Sequence, residues 1–213
     1  MLPEKTRVLT YRGRAAEAHA LISDFLPRAR EMRDPQVFVK VLVAGAAASL
    51  ELNDRAGVVR LMDEVVTSGS AWDVRYWSIP EGARVLVKAG EVDLAERLVE
   101  GNNPDPAFPS VKAAVAFGRA AIAEARGRPD EALALYRKAS EWYSARGSLL
   151  IDSQAVIGAA RCEIALGLAT DAGPKLKRVG EFYSGLGATA LQAEVDELRG
   201  LGVSRRARAG SGP

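Results

Sequence analysis

The chain has 213 residues, 48% hydrophobic and 26% charged, enough for one large or two small domains of ordinary water-soluble character. A formal net charge of +2 is too near zero to imply a nucleic-acid or anionic-membrane partner by itself, and a single cysteine, Cys162, excludes an internal disulfide framework and suits a reducing cytoplasm. Alanine fills 37 positions while only 6% of residues are aromatic, a balance that favours an all-α fold of closely approaching helices.

Residues 1–10 are mixed and short, lack the apolar core of a signal peptide, and are given no firm structure. Ala18, Leu21, Ile22 and Phe25 then recur at helical spacing, with Pro27 near the end of that helix or kinking it. Asp34-Pro35 is a favourable helix start, an N-cap followed by proline at the first helical position, and the helix runs to about Leu52. Its run Val41 to Leu50 is ten residues long where a membrane span needs about twenty, so it reads as a buried helix and no membrane partner is expected.

Asn53-Asp54 turns the chain into a helix with Val58, Leu61, Met62, Val65 and Val66 on one face, broken by Ser68-Gly69-Ser70. A third unit begins near Trp72, passes Pro80, and continues to Ala89-Gly90. A short helix follows from Val92 to Glu100, and Gly101 to Pro106 forms the clearest loop. Helices are predicted over Pro109–Ala125, Pro129–Ala145, Leu149–Leu166 and Asp171–Leu186, with Pro174 in the first turn of the last. Thr189-x-x-Gln192 has capping-box spacing and opens a final helix with Leu191, Val195 and Leu198 on one side and Glu194, Asp196, Glu197 and Arg199 on the other. The tail 201–213, basic through Arg205, Arg206 and Arg208, is expected to be disordered.

The chain repeats itself. Glu141-Trp142-Tyr143-Ser144-Ala145-Arg146-Gly147 returns forty residues later as Glu181-Phe182-Tyr183-Ser184-Gly185-Leu186-Gly187, and the same shift superposes Ala120 on Ala160 and Gly127 on Gly167. A period of this length built from two helical patterns is the signature of an α-solenoid. Aligning the turns at Gly13, Asn53, Gly90, Gly127 and Gly167 gives spacings of 40, 37, 37 and 40. Ala18, Val58, Ala95, Ala132 and Ala172 stand five residues after these turns. Ala46, Ala83, Ala120 and Ala160 stand seven before the last four, and Ile22, Met62, Val99, Tyr136 and Leu176 nine beyond each turn.

Small residues at these two places and a bulky one at the third resemble tetratricopeptide repeats, in which the two helices of a unit cross with backbones nearly touching. The resemblance covers residues 11–200 and implies a right-handed α-solenoid of about four and a half antiparallel hairpins with a closing helix. Because the text around Gly13 matches the middle of a later unit, the first unit is expected to lack its leading helix, exposing apolar surface for self-association at the N-terminal end. From Ser153 onward, Ala155 to Cys162, Phe182 to Ala188 and Ala193 to Leu198 are similar to the C-terminal helical repeats of large bacterial signalling proteins that carry nucleotide-cyclase or DNA-binding output domains and a P-loop ATPase. The chain has no G-x-x-x-x-G-K-[ST] motif, so none of that catalysis carries over.

Catalytic constellations are sparse. His19 is the only histidine, and no zinc spacing or Gly-x-Ser-x-Gly elbow is present. Cys162 beside Arg161 lacks a base and an orienting group and reads as a small buried thiol. No metal, cofactor or enzymatic activity is expected. In tetratricopeptide arrays the concave groove is lined by positions two, five, nine and twelve of each first helix, which the resemblance places at Lys40, Trp77, Arg84, Phe117, Glu124, Gln154 and Arg161. Such a set would hold an extended acidic or apolar peptide by stacking and bidentate contacts. The expectation is a non-enzymatic protein-interaction or signal-sensing scaffold. The alternative is a regulator acting on DNA through a partner domain or the basic tail, although nucleic acid is not the expected partner.

Overall fold

A computed structural model describes residues 2–32, 34–68, 76–101 and 108–209, with side chains described at all of these except 169 and 202–209. The described residues form eleven α-helices and one 3-10 turn, without a strand, so the fold is all-α as composition predicts. By the contacts among residues the chain divides into 1–118 and 119–213. The first unit holds α1 (Leu2–Tyr11), α2 (Ala15–Glu31), α3 (Pro35–Glu51), α4 (Arg55–Thr67), the 3-10 turn Tyr76–Ser78, α5 (Ile79–Lys88), α6 (Val92–Glu100) and the first part of α7 (Pro109–Ala125). The second holds the rest of α7, α8 (Pro129–Ser144), α9 (Leu149–Ala165), α10 (Ala169–Leu186) and α11 (Thr189–Ala209). No helix is long and apolar enough to cross a membrane.

The expected turns are all where the backbone needs them. Gly13, Gly90, Gly127 and Gly167 have φ between 72° and 81°, and Asn53, at 58°, is the one non-glycine among the described residues with positive φ. Asparagine tolerates this left-handed region better than other residues with a Cβ, which is why it can replace glycine there. The glycines closing the repeated heptapeptide, Gly147 and Gly187, adopt the same conformation. At each turn the following N–H reaches back to the carbonyl five residues earlier, as in Ser148 to Tyr143 at 3.0 Å and Ala188 to Tyr183 at 2.9 Å. Helix starts behave similarly: the Asp34 and Asp54 carboxylates accept from the N–H groups of Gln36 and Gly57, both at 2.9 Å.

The small residues are packed as predicted. Ala18, Ala46, Val58, Ala83, Ala95, Ala120, Ala132 and Ala160 are fully buried, as are Ala172 and the bulky Ile22, Met62, Val99, Tyr136 and Leu176 to within 2%. A second rule, which the sequence carries as glycines eight or nine residues before the last four turns, joins one hairpin to the next. Gly45 on α3, Gly82 on α5, Gly118 on α7 and Gly158 on α9 each receive the bulky residue of the preceding helix: Ile22, Met62, Val99 and Tyr136 respectively. A methyl group added at these glycines would lie 2.9, 2.9, 2.6 and 2.4 Å from the entering side chain, so only glycine leaves room. Helices therefore meet both their neighbours and the next but one: α3 packs on α1, α2, α4 and α5, and α9 on α8, α10 and α11.

Several expectations need correction. Residues 1–10 are not weakly structured, since Leu2–Tyr11 is a helix that packs on α2 and α3. A helix therefore stands ahead of the Gly13 turn, where none was expected. The final helix runs on to Ala209, through most of the segment expected to be disordered. α10 begins two residues earlier than predicted, so Pro174 lies beyond its first turn. Helix α11 opens at Thr189, but the Gln192 amide turns forward to donate to Asp196 at 3.0 Å. Trp72 and the loop 102–107 lie outside the described residues.

Candidate functional site

The first helices α3, α7 and α9 are enclosed along their centres. Positions 41–49 and 153–160 are buried without interruption, because alanine, glycine and serine let neighbouring helices close in on every side. This decides the fate of the predicted groove residues. Phe117 is 1% exposed and Gln154 6%, so both serve the interior. Lys40 on α3 is exposed, and Trp77 in the 3-10 turn is 60% exposed, its ring tilted 30° against Tyr76 with centroids 4.7 Å apart.

Arg84, Glu124 and Arg161 are engaged within the protein. In the first unit, α3 carries only alanine and glycine from 44 to 48, a run slim enough for side chains of α1 and α5 to meet. The Tyr11 hydroxyl donates to Glu81 Oε2 at 2.5 Å, and Arg84 donates to Glu81 Oε1 at 2.7 Å. Burial would raise the Glu81 pKa, but the Arg84 charge and the two hydrogen bonds prevail and hold it below the usual carboxylate range. Burial first, and the Glu81 charge second, push the Tyr11 phenol well above its ordinary value.

The second unit builds the same trio from other elements. The Tyr136 hydroxyl donates to Glu124 Oε2 at 2.9 Å across the Gly127 turn. Arg161 grips Glu124 with two bonds, 2.6 Å from Nε and 2.9 Å from Nη2, and gives Nη1 to Glu194 at 2.6 Å. One guanidinium thus ties α7, α9 and α11 together. Burial opposes its charge, yet the two carboxylates outweigh burial and raise the Arg161 pKa. Tyr136 is raised well above its usual value, by burial first and then by Glu124.

Two further groups are spoken for. Cys162, 1% exposed, has its thiol pushed up to about 12 by burial and then by the Glu124 charge, which holds it as the unreactive thiol. Glu163 is fully buried, and its Oε1 accepts from Arg137 at 2.9 Å and from Lys175 at 2.5 Å, tying α8 and α10 to α9. Among the described residues no group of three His, Cys, Asp or Glu side chains is placed to hold a metal ion.

Sequence reading chose Arg161 and Glu124 as separate groove members and missed that they bond to each other, along with Tyr136 and Glu194. The signal was present but indirect: Glu124 and Arg161 stand three and six residues before the turns at Gly127 and Gly167, one helical turn out of register, which puts them on the same face of α7 and α9. Tyr11 and Glu81, 70 residues apart, carry no such mark. Compared with known proteins, the chain matches no family model and no curated protein.

Proposed function

We propose that the chain is a right-handed α-solenoid of tetratricopeptide-like hairpins, closed by α11, that works as a non-enzymatic protein-interaction or signal-sensing scaffold. The observation that carries this reading is one packing event repeated at four junctions, a bulky side chain of one hairpin entering a glycine of the next. A packing rule that recurs along the chain builds an extended surface, whereas a reaction centre needs convergent and available polar groups. Support also comes from the candidate reactive groups: Glu81, Glu124, Arg161 and Glu163 are all ion-paired, and the Cys162 thiol is held protonated.

The partner is a protein or peptide, and the solvent-facing members of the predicted groove, Trp77 and Lys40, mark where it binds. An exposed indole and an exposed lysine offer stacking and a cation to an extended segment with apolar and acidic side chains. Panning a displayed random-peptide library on the whole protein tests this. Enriched peptides should lose about tenfold or more in affinity for Trp77→Ala, the loss usual for an interface anchor. Equal binding to that variant, or no enrichment, counts against the reading, and tight salt-dependent binding of duplex DNA would favour a regulator acting on DNA instead.

A further inference from the structure

The turns that join the two helices of each hairpin share a left-handed centre but differ in their flanks. Arginines flank Gly13 and Gly127, Leu52 and Asp54 flank Asn53, and Ala89 and Glu91 flank Gly90. Only Gly167 has a large apolar residue on both sides, and those residues, Leu166 and Leu168, are 41% and 44% exposed. Leu168 is also the N-cap of α10, where it makes no side-chain capping bond. A side-chain oxygen at that place would satisfy a free backbone N–H, as Asp54 does for α4. Leucine here serves neither the helix start nor the interior.

A basic segment shares this end of the second unit. Gly180 on α10 faces Gln192 and Val195 on α11, and carried along the two antiparallel helices that register brings the start of α10 level with residues 204 and 205. Helix α11 runs on to Ala209, and its sequence there holds Arg205, Arg206 and Arg208. Leu201, one turn earlier, is 49% exposed. The grip of Arg161 on Glu124 sets the neighbouring Gly127 turn, with Arg126 and Arg128, at the same end. Arginines there outnumber the acids that open α8 and α10, Asp130, Glu131 and Asp171.

We propose that this end of the second unit docks on an anionic lipid surface, Leu166, Leu168 and Leu201 entering the acyl boundary and the arginines of α11 meeting the headgroups. No helix among the described residues can cross a membrane, so the attachment is peripheral, and it does not need the long apolar span that a crossing helix requires. Apolar insertion and charge are each weak alone, and peripheral anchoring takes two such signals together. A lipid surface fits this end better than nucleic acid, which would take the arginines and leave the leucines in water. The inference goes beyond the scaffold reading, since it gives the scaffold a surface on which to be tethered.

The test sediments the full chain with vesicles of phosphatidylcholine alone and of phosphatidylcholine with an equal share of phosphatidylserine. Binding is expected to the anionic vesicles alone, and it should weaken as salt is raised. Leu166→Asp combined with Leu168→Asp should weaken it at least about tenfold, as should Arg205→Glu combined with Arg206→Glu. Leu168→Asp by itself separates a lipid contact from a structural role: it should raise the unfolding midpoint by supplying the missing cap and still lower vesicle binding. Absence of binding to the anionic vesicles overturns the proposal. So does binding that the leucine variants leave unchanged, which is the result of charge alone. Duplex DNA bound more tightly than the vesicles, and equally by the leucine pair, assigns the arginines to nucleic acid and overturns it too. Trp77→Ala should bind vesicles like the parent, so the peptide reading and the lipid proposal fail separately.

Discussion

Gly158 shows how much one hydrogen atom decides. Adding a methyl group there would bring it to 2.4 Å from Tyr136 Cζ and 2.6 Å from two further ring carbons, forcing the phenol out of its hydrogen bond with Glu124. Gly158→Ala should therefore destabilise by about 1–3 kcal/mol despite alanine's better helix propensity, whereas Gly185→Ala, with open space where the methyl would go, should gain up to about 1 kcal/mol. Chemical denaturation of the two variants checks both signs. Ionisation gives a second expectation at this scale. Cys162 is raised to about 12, and Tyr11 and Tyr136 well above 10.0, so in alkali the folded chain holds protons that the unfolded chain, with a thiol near 8.5 and phenols near 10, releases. Folding then loses stability as pH rises from about 8.5 through 12 and keeps these contributions in full below that window. Cys162→Ala should flatten the first part of the decline, as read from unfolding midpoints measured between pH 8 and 11.

Elements differ in how legible they are, for physical reasons. Turns were readable because the left-handed backbone restricts residue type, and Asn53 served as well as glycine. Close helix crossings were readable because the small residues that permit them recur at a fixed interval. Helix α1 was not, since its buried residues are Thr6, Leu9, Thr10 and Tyr11, with a single aliphatic side chain among them. The two threonine hydroxyls are buried harmlessly by donating back to the carbonyls of Leu2 and Thr6, so a helix forms without an apolar stripe. Groove membership was misjudged at Phe117 and Gln154 because counting from the turns put them on a face that neighbouring side chains bury. The link among α7, α9 and α11 can be tested directly. Arg161→Met leaves Glu124 and Glu194, 21% and 18% exposed, without their shared cation and should cost about 3 kcal/mol. A double-mutant cycle with Glu194→Gln should show coupling above about 1 kcal/mol if the Nη1 bond contributes as its geometry implies.

For the molecule as a whole, packing within each unit is between helices close in sequence, which favours fast folding and graded protection over a single cooperative step. The solenoid reading adds an expectation about size. A compact 213-residue domain would have a radius of gyration of about 17 Å, and small-angle scattering should return a clearly larger value if the hairpins stack into an open superhelix. A value at or below that figure would favour a bundle.

The enclosed stretches 41–49 and 153–160 carry a consequence for how this protein tolerates change. Between 44 and 49 and between 158 and 160 the demand is low volume, which alanine and serine meet in several combinations around the fixed Gly45 and Gly158. Substitutions can accumulate there as long as bulk does not, and the outer faces of α4, α6, α8 and α10 are freer still. A saturation library scored for folded protein should reject Ala46→Leu and Ala160→Leu while accepting Ala→Ser at the same sites. Lineages of such a chain can then diverge almost beyond resemblance while their helices go on meeting in the same way.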